Sequence, residues 1–301
     1  MVGVKDEHRS GAGPGRPHNA PPCQQRSFRL TLAEDYLEQY RFRLRWLRCL
    51  VERLGADEAR LIWQASDDPS DERLARLLAE GWEHDESPPV EDVKGKLAAA
   101  AAEIFDQTLE GIDASEARAL VEDASPMRDI LDAFPDLDAS REISTFDALH
   151  LFSHSIARMA ETLIERHGKR GEMIAYDAMN HAQVSEQTER LPAATYLLEK
   201  GERFKRGYAE RSLFTAGLER DILTANDREL HWHVTSCEWA RYFRANHPKV
   251  GSILSCTNDA VLYGSYNERI RLQLKSTLME GDAYCDFRLY ALPEPDADPD
   301  E

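Results

Sequence analysis

Three of the chain's five cysteines lie near its C-terminal end: Cys237, Cys256 and Cys285. Asp259 follows Cys256 by three residues, so the two side chains share a face wherever this stretch is helical. A cysteine attacks carbon as its thiolate, and an unperturbed thiol has a pKa of about 8.5. Asp259 alone would raise that pKa, because two like charges oppose each other. A catalytic Cys256 therefore needs a cation or a base from elsewhere in the chain.

Two histidines that precede this segment are the candidates for that role: His231 and His233. We predict that His233 moves protons at Cys256 and that Asp259 orients the thiol. The alternative interpretation is that the cysteines are small apolar core residues, as buried free cysteines usually are. The residues alone leave both interpretations open.

Alternation of polar and apolar residues predicts an antiparallel sheet in the same region. The predicted strands cover residues 230–235, 269–279 and 284–292. In the first of them, Trp232 and Val234 lie on one face and the two histidines on the other. We expect these strands to form a sheet with one apolar face.

A tight turn is predicted between the last two strands, because Gly281 stands between Glu280 and Asp282. Asp286 follows Cys285 directly, so on a strand their side chains point to opposite sides of the sheet. Only one of these two residues can then face a given pocket.

Helices are predicted for the rest of the folded chain. Near the sheet, Ser236 is expected to cap a helix over 237–245 that stops before Pro248, and apolar spacing predicts a helix over 250–262. Further helices are predicted over 145–168, over 171–187 and from 192 to about 223. Residues 27–144 are predicted to be an all-α region whose first helix ends at Gly55.

The fold class that follows is α+β, with a helical N-terminal region before a domain of helices packed on an antiparallel sheet. The predicted organisation is a disordered tail over 1–26, the helical region over 27–144, the α+β domain over 145–292 and an acidic disordered tail over 293–301.

An ordered set of residues in this segment resembles a known family. The set is Cys237 with Tyr242, then Leu254-Ser255-Cys256-x-x-Asp259, Asn267-x-x-Ile270, Thr277-Leu278-Met279-Glu280-Gly281 and Cys285-Asp286-Phe287-Arg288. Its order and spacing resemble the L-2-amino-thiazoline-4-carboxylic acid hydrolase family over about residues 145–292. The ending Gly281-Asp282-x-x-Cys285-x-Phe287 is also similar to the V4R small-molecule-binding domains, as a fold-level analogy.

The resemblance implies a hydrolase that opens a 2-aminothiazoline ring to a carbamoyl cysteine, by attack on an amidine-like carbon. The bond cleaved is C–N or C–S in a small heterocycle derived from an amino acid. The attacking group is either a thiolate, with Cys256 and Cys285 as catalytic residues, or a water held by an acid. The resemblance implies no cofactor.

Five residues are predicted to bind the substrate: Cys237, Tyr242, Arg271, Glu280 and Asp282. Arg271 is expected to hold a carboxylate, since a guanidinium binds one through two parallel hydrogen bonds. The two acids have a second interpretation, because a turn needs Asp and Gly for its backbone geometry alone.

Histidines and acids on the predicted helical hairpin indicate an alternative, a divalent metal site. The residues are Asp147, His150, His154, Asp177 and His181. Spacings of three and four place the first three along one helical face, and facing helices that carry His and carboxylate build metal sites in bundles. These histidines are equally typical of ordinary core positions. A third hypothesis is a non-catalytic V4R-like sensor of small molecules.

The amino-acid composition limits which classes of partner the chain is expected to bind. The formal net charge is −18, which repels phosphate backbones and argues against nucleic acid. No apolar run approaches the roughly 20 residues of a membrane span, and the start lacks the apolar stretch of a signal peptide. An odd number of cysteines without regular spacing indicates a reducing compartment. We therefore expect a cytoplasmic protein that binds a small molecule, with self-association into a homo-oligomer left open.

Overall fold

The computed structural model describes residues 27–66, 72–79, 140–190, 217–226, 228–266 and 270–292. Within these ranges the helices are α1 (Leu32–Leu54), α2 (Ala56–Gln64), α3 (Glu72–Ala79), α4 (Thr145–His167), α5 (Lys169–Arg190), α6 (Glu238–Asn246) and α7 (Asp259–Tyr266), with a π-helical segment at Ser252–Cys256. The strands are β1 (Ser27–Thr31), β2 (Ser140–Ser144), β3 (Leu218–Ala225), β4 (Glu229–Cys237), β5 (Ile270–Leu274) and β6 (Cys285–Ala291). The predicted α+β class is confirmed.

The larger sheet is antiparallel with the order β3-β4-β6-β5, so β4 and β6 are its central strands. Val234 lies opposite Cys285 and His233 lies opposite Asp286 in the β4–β6 register. One face of the sheet, here called the inner face, packs an apolar cluster: Leu230, Trp232, Val234, Ile270, Cys285, Phe287 and Leu289. The outer face carries His231, His233 and Asp286. The alternation of apolar and polar side chains that the sequence predicts is therefore correct for both β4 and β6.

A second apolar core joins the N-terminal helices to the later ones. It includes Leu47 of α1, Trp63 of α2, Met159 of α4, Ala178 of α5 and Phe243 of α6. Large side chains such as Trp63 are fully buried in this core. The removal of their apolar surface from water is the main stabilising contribution to this part of the fold. Helix α6 therefore lies between the helical core and the end of β4, which leads into it.

Several helix boundaries are as predicted. Gly55 ends α1 in a left-handed conformation with φ of 85°. Ser144 caps α4, because its hydroxyl accepts a hydrogen bond from the Asp147 backbone N–H. Helix α6 stops at Asn246, before Pro248. Its cap was predicted wrongly: Cys237, not Ser236, accepts from the Ala240 N–H through its sulfur.

The predicted strand over 269–279 is shorter in the structure, because the residues after Leu274 leave the ladder to form a turn. The Thr277 N–H donates to the Asp282 carboxylate at 2.9 Å, and the Thr277 hydroxyl accepts from the Glu280 N–H at 3.1 Å. Gly281 has φ of 98°, which a residue with a Cβ rarely adopts. The glycine turn is confirmed, although the connection is longer than a tight hairpin.

The helix predicted over 250–262 is broken in two. The Thr257 N–H donates to the Ser252 carbonyl at 3.0 Å, a spacing of five residues that defines the π-helical segment. The Asn258 side-chain amide donates to the Ile253 carbonyl, which satisfies a backbone group at the break. As a result Cys256 ends one segment and Asp259 begins the next helix.

Two predictions of helix are corrected by strands. Residues 27–144 are not all-α, because β1 and β2 pair at the two ends of that region. The last part of the helical passage predicted from 192 to about 223 is also a strand, since 218–222 belong to β3 and pair with β4, while 192–216 lie outside the described residues. The tails predicted over 1–26 and 293–301 lie outside the described residues. Among the helices described, none combines the length and apolarity needed to cross a membrane.

Candidate functional site

Three thiols gather at the inner face of the sheet and the helices beside it. Cys285 is 4% exposed and belongs to the apolar cluster, and Cys237 packs against that cluster from the end of β4. The charges of Cys256 and Cys285 both act on Cys237, which places the three sulfurs within electrostatic range of one another. We call Cys237, Cys256, Cys285 and Asp259 the thiol cluster. All four cysteines among the described residues are free thiols.

Each thiol is positioned by a different element. The Cys237 sulfur accepts from the Ala240 N–H at 3.4 Å, as the cap of α6. The Cys285 sulfur accepts from the Leu278 N–H at 3.2 Å, so the turn is held against β6. Cys256 lies 3.4 Å from the Ser255 hydroxyl, which itself donates to the Gly251 carbonyl at 2.9 Å. The Ser255 hydroxyl thus lies between the Gly251 carbonyl and the Cys256 sulfur, and either atom of the Ser255–Cys256 pair can be the donor.

Burial keeps the thiols protonated. It raises the pKa of Cys237 strongly, that of Cys256 to about 12 and that of Cys285 to about 11. The carboxylate of Asp259 adds to the increase at both Cys256 and Cys285. The cluster therefore holds thiols rather than thiolates at neutral pH.

Among the groups of the thiol cluster, Asp259 has the pKa that lies closest to neutral pH. Burial of its carboxyl group raises its pKa from 3.8 to about 8, and the charge of Arg220 on β3 partly opposes this effect. Arg220 pairs in register with Val234, whose side chain belongs to the inner face. A carboxyl with a pKa near 8 can both accept and donate a proton at physiological pH.

The raised pKa of Asp259 predicts how the stability of the folded protein depends on pH. Below pH 3.8 the Asp259 carboxyl is protonated in both the folded and the unfolded chain. Between pH 3.8 and about pH 8, only the folded chain keeps this proton. Stability therefore falls as pH rises through this window. Asn cannot ionise, so Asp259→Asn is expected to remove this slope. Each unit of pKa shift is worth about 1.4 kcal/mol, so the free energy of unfolding of the variant should exceed that of the wild type by roughly 5 kcal/mol at about pH 9. Urea unfolding at about pH 4 and pH 9 measures the difference.

The control for this measurement is Asp57→Asn, at an exposed acid in the first turn of α2. It should leave the pH dependence of unfolding close to that of the wild type. If Asp259→Asn shows the same slope between these two pH values as the wild type, the carboxyl of Asp259 is not desolvated in the folded protein.

Two predicted site residues lie on the wrong side of the sheet. His233 faces the outer side, opposite Asp286, so it cannot move protons at Cys256. Arg271 is exposed on β5, with its neighbours Ile270 and Leu272 packed on the inner face. Sequence reasoning missed Arg220, since the segment that carries it was predicted to be helical and its register was therefore unknown.

The remaining predicted substrate residues divide between two places. Glu280 and Asp282 belong to the exposed turn, and their charges reach Cys256 and Cys285 respectively. Tyr242 is fully buried in the helical core, where its hydroxyl lies 3.2 Å from Nδ1 of His150. Nothing in these contacts joins Tyr242 to the thiol cluster, and the functional roles assigned to all three residues stay predictions.

The five residues of the alternative metal site do not converge. Asp147 is ion-paired with Arg73 at 2.6 Å, and Asp177 with Arg53 at 3.0 Å. His181 is exposed on α5, and its charge interactions are with Arg45, Arg48 and Glu52 of α1. In the part of the chain that the structure describes, these side chains form no group able to hold an ion.

His150 and His154 instead enter a buried hydrogen-bonded network. Their rings lie 5.0 Å apart, and Nδ1 of His154 is 3.2 Å from Nε2 of His247. The other ring nitrogen of His247 is 3.1 Å from the Glu161 carboxylate. Burial raises the pKa of Glu161, but its hydrogen bond with His247 and the charges of His247 and Arg158 more than offset this, so the net pKa is lowered. The network ties α4 to α6 and the residues that follow it.

The outer face of the sheet carries a second polar group. Nε2 of His231 lies 2.6 Å from Oδ1 of Asp286, and Nε2 of His233 lies 3.6 Å from the same oxygen. The Tyr284 ring stacks on His233, with centroids 4.0 Å apart. We call His231, His233 and Asp286 the outer triad. The sheet separates it from the thiol cluster, because Cys285 and Asp286 alternate along β6.

Comparison with known proteins supports the resemblance read from the sequence. The family model described as L-2-amino-thiazoline-4-carboxylic acid hydrolase matches residues 149–289, slightly less than half of the chain. This segment includes both the thiol cluster and the outer triad. Comparisons with curated proteins and with solved structures gave no match.

Proposed function

We propose that the chain is a hydrolase that opens a small cyclic amidine derived from an amino acid, with the thiol cluster as its active site. The observation that carries the proposal is the convergence of three cysteines and a desolvated Asp259 within the segment matched by the hydrolase family model. The family is named for the hydrolysis of a thiazoline carboxylate, and the site offers the acid and the thiol that such a reaction uses.

Substrate binding uses the charges of the cluster. A 2-aminothiazoline is an amidine, and its protonated form is a flat cation that pairs with a carboxylate. Asp259 is the partner for this cation, because a buried carboxylate gains most from an opposite charge. The carboxylate of the substrate is assigned to Arg220, the cation whose charge reaches Asp259.

The chemistry then proceeds by addition and elimination. Bringing the amidinium next to Cys256 lowers the cost of forming a thiolate, since a nearby positive charge favours it. The Cys256 sulfur adds to the amidine carbon as its proton passes to Asp259. The bond from that carbon to the ring sulfur or ring nitrogen breaks, and the leaving atom takes the proton. Water then adds to the same carbon and the Cys256 thiol leaves, so the net reaction is hydrolysis.

The wild-type protein with L-2-amino-thiazoline-4-carboxylate tests the proposal, with the carbamoyl cysteine product followed by mass spectrometry. Thiazolidine-4-carboxylate, which lacks the amidine, is the matched control and should remain intact. Protein-dependent ring opening supports the function. Quantitative recovery of the thiazoline after long incubation, across the pH range from about 6 to 9, would contradict it. Tight binding of the intact molecule would then favour a sensor of the V4R kind.

A pair of arginine substitutions tests how the substrate is held. Arg220→Gln is expected to raise KM by about tenfold to a hundredfold, because it removes a charge-assisted hydrogen bond worth roughly 1.5–3 kcal/mol. Arg271→Gln is the matched control and should leave KM unchanged, since Arg271 is exposed on β5. The opposite result would place the substrate on the outer face of the sheet.

A further inference from the structure

The outer triad presents three ligand atoms that converge on one point. One ring nitrogen each of His231 and His233 and a carboxylate oxygen of Asp286 all lie within 4.8 Å of one another. Among the described residues this is the one group of at least three such side chains able to hold a metal ion. We propose that the outer triad binds a divalent transition-metal ion, with Zn²⁺ as the reference ion.

The backbone explains why these side chains meet. His231 and His233 are two residues apart on β4, so both point to the same side of the sheet. Asp286 on β6 lies directly opposite His233 in the register. Both strands are central in the sheet, which fixes their spacing on each side. The ligands are therefore held by rigid, hydrogen-bonded backbone rather than by a loop.

A hydrogen bond accounts for only one of the two contacts that the histidines make with Asp286. His231 reaches Oδ1 of Asp286 at 2.6 Å, whereas His233 is aimed at the same oxygen from 3.6 Å, beyond hydrogen-bonding distance. Zinc binds histidine nitrogen at roughly 2.0–2.1 Å and carboxylate oxygen at roughly 2.0–2.2 Å. To bind the ion, the three ligand atoms would have to draw closer to a common centre than they lie here.

The neighbouring charges allow a cation at this position. Asp221 is exposed on β3 opposite His233, and supplies a carboxylate on that side. Arg288, opposite His231, is neutralised by Glu229 at 2.7 Å. Lys275, whose backbone pairs with Asp286, is exposed and free to turn its ammonium group towards solvent.

The ligand set indicates which ions fit. Two imidazoles and one carboxylate suit Zn²⁺ and related transition metals rather than Mg²⁺ or Ca²⁺, which prefer oxygen ligands alone. The side chains of the triad are 17–25% exposed, so the ion can enter from solvent and keep a water ligand. A bound ion would clamp β4 to β6 directly behind Cys285, on the opposite face from the thiol cluster. The proposal does not depend on the proposed function.

Calorimetric titration of the metal-free full chain with Zn²⁺, together with Co²⁺ absorption spectroscopy, tests the site. One ion per chain is expected, and the Co²⁺ spectrum should lack the intense sulfur-to-metal band, because the ligands are nitrogen and oxygen. His233→Gln should weaken binding by at least about a hundredfold, since loss of a mere outer-shell partner already costs 10- to 100-fold. His181→Gln, at an exposed histidine of α5, is the matched control and should bind as the wild type does.

Two outcomes would overturn the proposal. One is Zn²⁺ binding that is equal in the wild type and in the His231→Gln/His233→Gln double variant. The other is a Co²⁺ spectrum dominated by thiolate ligation that disappears in Cys256→Ala, which would place the ion in the thiol cluster. Thermal unfolding without metal should be the same for wild type and His233→Gln, so that a loss of binding is not a loss of fold. A Tm increase with Zn²⁺ in the wild type alone would support the site.

Discussion

Asp259→Asn is expected to reduce kcat/KM for the opening of the cyclic amidine by about 10³-fold, which is within the range that general acid–base catalysis contributes. The physical reason is that asparagine neither pairs with the amidinium cation nor moves a proton between Cys256 and the leaving atom. Its shape is nearly that of aspartate, so the site should keep its packing. Steady-state kinetics with L-2-amino-thiazoline-4-carboxylate measure the loss.

The pH profile makes this result specific. Since kcat/KM reports the ionisation of the free protein, the wild-type value should rise with pH towards about 8, where Asp259 loses its proton. The Asn variant should lack this rise, while the ionisation of the substrate affects both proteins equally. Asp57→Asn is the control and should keep full activity. An Asn variant with an unchanged profile would show that another group handles the proton.

Cys256→Ser is expected to lower kcat by about 10²- to 10³-fold, because a hydroxyl is a far weaker nucleophile than the thiol that it replaces. Burial raises the pKa of this thiol to about 12, so the proposed reaction requires a thiolate that forms only beside the bound cation. Rapid acid quenching followed by intact-protein mass spectrometry should detect a substrate adduct on the wild type and none on the variant.

Cys49→Ala is the matched control for Cys256, since Cys49 is buried in the helical core, away from the sheet. It should leave kcat unchanged. Full turnover by Cys256→Ser, with no adduct on the wild type, would rule out covalent catalysis at this residue. Catalysis by a water that Asp259 activates would then be the route, and the Asp259→Asn prediction would still hold.

The two polar groups of the sheet differ because their environments differ. The thiol cluster lies on the apolar face, where burial suppresses charge and raises every pKa that shifts there. The outer triad lies on the face that solvent reaches, where imidazole and carboxylate can pair at little cost. Neighbouring residues in the sequence, Cys285 and Asp286, therefore belong to two groups of side chains in different environments.

Local patterns in the sequence determined the faces of the sheet. A strand repeats every two residues, so the alternation around Trp232 and around Cys285 was enough to place Asp286 on the side away from the thiol. Gly281 marked the turn for an equally local reason, its positive φ. Helix ends at Gly55 and before Pro248 followed from the backbone restrictions of glycine and proline.

Tertiary structure alone decided which of these residues meet. The pairing of Arg220 with Val234 depends on register, and β3 carries two register irregularities that no short pattern encodes. The break between Cys256 and Asp259 arises from side-chain hydrogen bonds to backbone carbonyls, which compete with a continuous helix. His233 was assigned to the thiol because it is near in sequence, but the sheet lies between them. Such long-range placement depends on strand order and packing, whereas sequence spacing determines only the face.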